Sequence, residues 1–178
     1  MNIGLLILRV VVGGLFVGHG TQKLFGWFGG YGVEGTGGWL HSIGFRPGKP
    51  MAVLGGLSEA GGGLLVLLGF LTPAGAAAII GMMTAATLAV HVEKGVWNSD
   101  GGFEFPLTMA AAASALAFAG PGAFSLDHAV GLNLAGVGWG LSATLVGILA
   151  GLGVNAYRVE RLRRTVQEPS GEDRRPAA

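Results

Sequence analysis

Arg9, His19, Lys23 and Glu59 lie inside stretches apolar enough to cross a bilayer. A charge at membrane depth costs about 2.5–3.5 kcal/mol on insertion scales, so such groups pair, face a cavity or move protons. At 100° per residue, Arg9 and Lys23 fall within about 40° of one another on a helix, and His19 precedes Lys23 by four residues. These three make one polar stripe on a first helix. Glu59 sets a carboxyl into a second. His91 closes a third apolar segment on a stripe with Thr84 and Thr87, and Glu104 opens a fourth, four residues before Thr108.

Imidazole, ammonium and carboxyl groups gathered near one membrane interface suit a polar small molecule such as a quinone. His19 and Lys23 would donate to its carbonyl oxygens, and Glu59 would carry a proton. His91 and Glu104 belong to the same candidate site. The competing reading is a clasp, in which Lys23 neutralises Glu59 and the charges only lock helix packing. A small transporter lined by these groups is a third. Arg9 and Asp127, toward the opposite face, are candidates for a structural charge pair. His19 and His91 on separate helices are a slender basis for haem ligation. No metal-ligand spacing and no nucleophile–base motif stands out. Cysteine is absent, so the polypeptide cannot itself run thiol–disulfide exchange or hold an iron–sulfur cluster.

The elements that must position these groups follow from composition. The chain has 178 residues, 51% hydrophobic and 12% charged, where ordinary soluble domains are roughly 25% charged. Residues 74–90 and 134–154 contain no charged side chain. The second stretch matches the roughly 20 residues that a helix needs to cross about 30 Å of hydrocarbon. The sequence therefore predicts an all-α polytopic membrane protein with spans near 3–25, 51–71, 74–93, 105–121 and 134–156. The first tolerates Arg9 because its thirteen Leu, Ile, Val and Phe residues together supply about −4 to −8 kcal/mol of insertion free energy. It lacks the basic leader of a signal peptide and is expected to be retained.

With five spans, Arg46, Lys49, Lys94 and the arginines after Ala156 all fall on one side, together with Trp27, Trp39 and Trp97. The positive-inside rule then predicts an outside N-terminus and a cytoplasmic C-terminus. The lipid bilayer is the first partner. The arginines at 158–164 are expected to anchor to anionic lipid, not to nucleic acid. Glycine, at 35 residues, far exceeds its usual share of roughly 7%. Gly14/Gly18, Gly56/Ala60, Gly136/Gly140 and Gly147/Gly151 have the small-xxx-small spacing of close helix contacts. Trp39 to Ile43 reads as a short interfacial helix. Residues 157–178 form a basic tail expected to be disordered.

The run Arg9…Phe16…His19-Gly20…Lys23-Leu24-Phe25-Gly26 resembles the first-helix signature of the DoxX family of small bacterial membrane proteins. Glu59 matches that family's second-helix acid. Glu104-Phe105-Pro106, Gly120-Pro121-Gly122 and Ser125-Leu126-Asp127 resemble its later landmarks, so the likeness covers roughly residues 3–130. The resemblance implies a four-helix membrane core (1–130) in a bacterial cell membrane, extended here by an additional helix (131–156) and the tail. It also implies a role beside oxidoreductases, with quinone as acceptor in some members and soluble redox enzymes as partners in others. A homo-oligomer is a further candidate assembly.

Overall fold

A computed structural model of the chain describes residues 2–167, except for the side chain of Val166. The described residues form seven α-helices: α1 Asn2–Phe25, α2 Gly32–Ser42, α3 Gly48–Leu68, α4 Thr72–Ala86, α5 Glu104–Ala119, α6 Leu126–Ala129 and α7 Val137–Gln167. No strand occurs among the described residues. Beyond α4 the chain continues through a π turn at Thr87–His91 and a tight turn at Val92–Lys94. Among the described residues, four segments are long and apolar enough to cross a membrane: Asn2–Phe25, Gly48–Leu68, Thr72–Lys94 and Val137–Thr165. α5, with 16 residues, reaches only about 24 Å at 1.5 Å per residue. The protein is an all-α polytopic membrane protein. Its C-terminal helix is no appendage, because α7 packs along both α4 and α5.

The α1–α3 seam is written in both sequences as a 3–4 repeat. On α1 the buried face reads Arg9, Gly13, Phe16, Gly20; on α3 it reads Gly56, Glu59, Gly63, Val66. A methyl group at Gly13 would lie 2.6 Å from the Gly63 carbonyl oxygen, and one at Gly20 would lie 2.6 Å from that of Gly56. Bare backbone therefore meets bare backbone, the contact that drives association where water does not. Gly14 and Gly18, expected at such a contact, have nothing within 4 Å. They are rotated about 100° from the Gly13 stripe or more, onto the open face. Gly147 and Gly151 meet α4 at Ile80 and Thr84 as expected. Gly136 faces open space, whereas Gly140 receives the Phe118 ring.

One expectation about the polar C-terminal end changes. α7 runs through Gln167, so residues 157–167 of the basic tail are helical and not disordered; the remainder of that expectation, 168–178, lies outside the described residues. The helix is tied down by its own polar groups. The Tyr157 hydroxyl donates to the Arg46 carbonyl, and Arg158 Nε donates to that of Ile43 at 2.8 Å. Arg46 in turn donates to the Thr165 hydroxyl. These bonds join the end of α7 to the α2–α3 connection and gather the basic residues at one end of the bundle.

Candidate functional site

Lys23 and Glu59 form an ion pair between α1 and α3. Glu59 is 3% exposed, while a quarter of the Lys23 side chain remains accessible. The helix spacing explains the match. Lys23 continues the Gly13–Gly20 stripe by three residues, and Glu59 sits between Gly56 and Gly63 on the facing stripe. With no side chain at the neighbouring glycines, the flexible lysine stem reaches back along the seam to the carboxylate.

The pair borders a cavity of about 350 Å³. Its floor is the small-residue face of α4, including Ala78, Gly81 and Ala85; its walls are α3 and α7, and Trp39, Leu40 and Phe45 roof it. His91 also lines it, carried there by the π turn that ends α4. Such turns widen a helix locally and are frequent at functional positions. The His91 Nδ1 lies 2.7 Å from the Gly101 carbonyl oxygen. A carbonyl only accepts, so Nδ1 must carry hydrogen, which leaves Nε2 as the nitrogen that faces other partners. A mostly apolar chamber with a few convergent polar groups is the usual form of a small-molecule site.

The remaining candidates lie elsewhere. His19 is half-buried on α1 but does not line the cavity. Its ring stands edge-on to Phe16 and to Phe105 of α5, at centroid distances of 6.4 and 6.1 Å, and Nδ1 meets Gln22 Oε1 at 3.1 Å. That placement also parts His19 from His91. Glu104 is exposed and is not a member of the cluster; its Oε2 accepts from the Asn98 amide at 2.9 Å and closes the α4–α5 connection. The reason is its position at the first residue of α5, where a carboxylate turns outward to serve the preceding loop.

Arg9 and Asp127 form no ion pair among the described residues. Arg9 donates to four carbonyls instead: Val66 at 3.1 Å, Leu67 at 3.0 Å, Pro121 at 2.7 Å and Phe124 at 2.8 Å. Asp127 accepts from the amides of Leu71 and Thr72 at 2.8 and 3.2 Å, and from the Thr72 hydroxyl at 3.1 Å. Both lie at the end of the bundle away from the cavity, and neither lines it.

Sequence reasoning missed the roof and the far wall of the chamber. Trp39 reads as an interfacial anchor, and Ala150, Gly151 and Val154 of α7 carry no chemistry of their own. The one available signal was the Gly147/Gly151 spacing, which brings α7 close to α4.

The DoxX family profile matches residues 4–92, half of the chain. This protein belongs to the DoxX family. The matched region runs from α1 into the turn beyond α4 and carries Arg9, Lys23, Glu59 and His91. The inner membrane protein YqjF of Escherichia coli (strain K12) is 32% identical over 129 residues, which cover 71% of this chain and 92% of that protein. No solved structure matches. Family membership and the apolar helices agree on an integral, multi-pass membrane protein.

Proposed function

We propose that this DoxX protein is the membrane subunit of a redox complex and that its cavity holds the head group of a quinone. The observation that carries the reading is the convergence of Lys23, Glu59 and His91 on one largely apolar chamber within the helix bundle. Each group has a distinct task there. Lys23 offers an ammonium to a carbonyl oxygen and steadies the Glu59 carboxylate, Glu59 takes up a proton and passes it on, and His91 Nε2 accepts from a ring hydroxyl. A quinone supplies the capacity to take up two electrons and two protons. The residues named here handle protons, and the electrons come from a soluble oxidoreductase docked at the basic end. By the distribution of arginine and lysine, that end faces the cytoplasm.

A scaffold reading rests on the same Lys23–Glu59 bond, because it also joins α1 to α3 at the glycine seam. Purification from native membrane, organic extraction and ultraviolet absorbance separate the two. The redox reading expects extractable quinone with the natural protein and a marked loss with Glu59→Gln and His91→Phe. Quinone-free natural protein, with partner assembly unchanged in Glu59→Gln, would leave only the scaffold.

A further inference from the structure

The chamber is walled by α3 and α7, which both pack on α4 but make no substantial contact with each other. The groove between them therefore runs out to the flank of the bundle at hydrocarbon depth. Its floor on α4 is mostly alanine and glycine, with Met82 the larger side chain among them. Leu54 on α3 and Val154 on α7 stand at the rim, 54% and 38% exposed. On a membrane-spanning helix such exposure is exposure to lipid. The charged groups lie on the inner wall: Glu59 is buried, and Lys23 comes from α1, which packs on α3 and not on α7.

We infer that the cavity is loaded sideways from the bilayer through the gap between α3 and α7, by an amphipathic molecule whose polar head meets Lys23 and Glu59 while a hydrocarbon tail lies in the gap. The identity of the head rests on the quinone reading above; the route of access does not. A water-soluble ligand would gain little from a lipid-facing groove lined by methyl groups, whereas an alkyl or isoprenoid tail keeps apolar neighbours along its whole length.

The absence of cysteine makes a direct test available. Ser58 lines the cavity beside Glu59, and Ser58→Cys places a single thiol there with little change in volume. In native membranes, an N-alkyl maleimide that partitions into lipid should label it about ten-fold faster than a sulfonated, membrane-impermeant maleimide, since access governs thiol labelling. Adding Val154→Trp or Leu54→Trp should slow the lipid-soluble reagent about ten-fold by filling the rim. A thiol at exposed Ser42 on α2, placed in the same Trp backgrounds, should react with the sulfonated reagent at an unaltered rate and so report an intact fold. Faster labelling of Ser58→Cys by the sulfonated reagent, no labelling by either, or rim variants without effect would overturn the lateral route. Rim-dependent labelling of a protein that yields no quinone would overturn the head-group reading alone.

Discussion

Arg9 and Asp127 hold the same turn from its two sides without touching as an ion pair. Arg9 binds the Val66 and Leu67 carbonyls, the last of α3, and Asp127 binds the Leu71 and Thr72 amides, the first of α4. Helix ends leave carbonyls at one terminus and amides at the other without partners, and next to hydrocarbon no water can satisfy them. A cation at the C-terminus and an anion at the N-terminus also oppose the two helix dipoles. The turn is tight enough that Leu71 adopts a left-handed conformation, φ 46°.

Loss of either group should destabilise the bundle. Hydrogen bonds to charged groups contribute about 1.5–3 kcal/mol each, so Arg9→Met should cost at least about 3 kcal/mol, because it leaves the Leu67, Pro121 and Phe124 carbonyls without that donor while Val66 keeps only the Gly69 amide. Arg9→Lys should rescue little, because one ammonium cannot span carbonyls on α3 and on the Pro121–Phe124 loop. Asp127→Ala should cost about 2 kcal/mol, as the loss of a strong helix cap does, and Asp127→Asn less. Unfolding in mixed micelles by added denaturing detergent measures these differences. The double variant should fall short of the sum, because both residues brace one turn.

Lys23→Met and Glu59→Gln test the other charged contact. Removing one partner of a buried pair usually costs about 3–5 kcal/mol, and the partly exposed lysine should bring this nearer to about 2 kcal/mol. Combining the two changes should recover much of the loss, since two neutral groups of similar size no longer leave a charge uncompensated. The same unfolding measurement serves. If the double variant is stable yet quinone-free, the pair acts on ligand and not only on packing.

The sequence made the membrane-spanning helices legible because apolar length is a one-dimensional signal, and α1, α3, α7 and the segment that continues α4 to Lys94 all exceed it. The Lys23–Glu59 contact was legible as well, since a buried acid and base in facing helices have few other solutions. His19 was harder to place. It is four residues from Lys23, yet it turns toward Phe105 of α5, and helix order around a bundle is not written in spacing along one helix. Glu104 misled for a related reason: at the first position of a helix, a carboxylate serves the loop before it. The chamber itself arises from five helices in three dimensions, and its alanines and glycines are informative only through what they leave empty.

Glycines on different faces of α1 should differ sharply in tolerance. Gly13→Ala and Gly20→Ala would drive a methyl into α3 backbone or the atoms beside it, at 2.6 and 2.4 Å respectively. Neither contact can be relieved by a side-chain rotation, so both variants should lose several-fold in folded yield. Gly14→Ala and Gly18→Ala meet nothing within 4 Å and should gain up to about 1 kcal/mol from helix propensity alone. Size-exclusion profiles after detergent extraction, followed by thermal midpoints, distinguish the two pairs. Equal behaviour of Gly13→Ala and Gly18→Ala would contradict the seam.

The proposed orientation rests on charges that the fold collects at one end. Arg46, Lys49, Lys94, Arg158, Arg161, Arg163 and Arg164 lie at the end that holds α2 and the close of α7, whereas residues 69–71 and 120–136 contain no lysine or arginine. Each basic residue near an anionic cytoplasmic leaflet is worth about 1 kcal/mol, so the sum strongly favours one insertion direction. In this cysteine-free chain, Val130→Cys on the Arg9 end is 62% exposed in the parent side chain and should react with a membrane-impermeant thiol reagent in spheroplasts. Ser42→Cys should react only after the membrane is opened. The reverse pattern would move the Lys23–Glu59 chamber to the outer leaflet, out of reach of any cytoplasmic electron donor, and the proposed redox partnership would have to be sought on the other side.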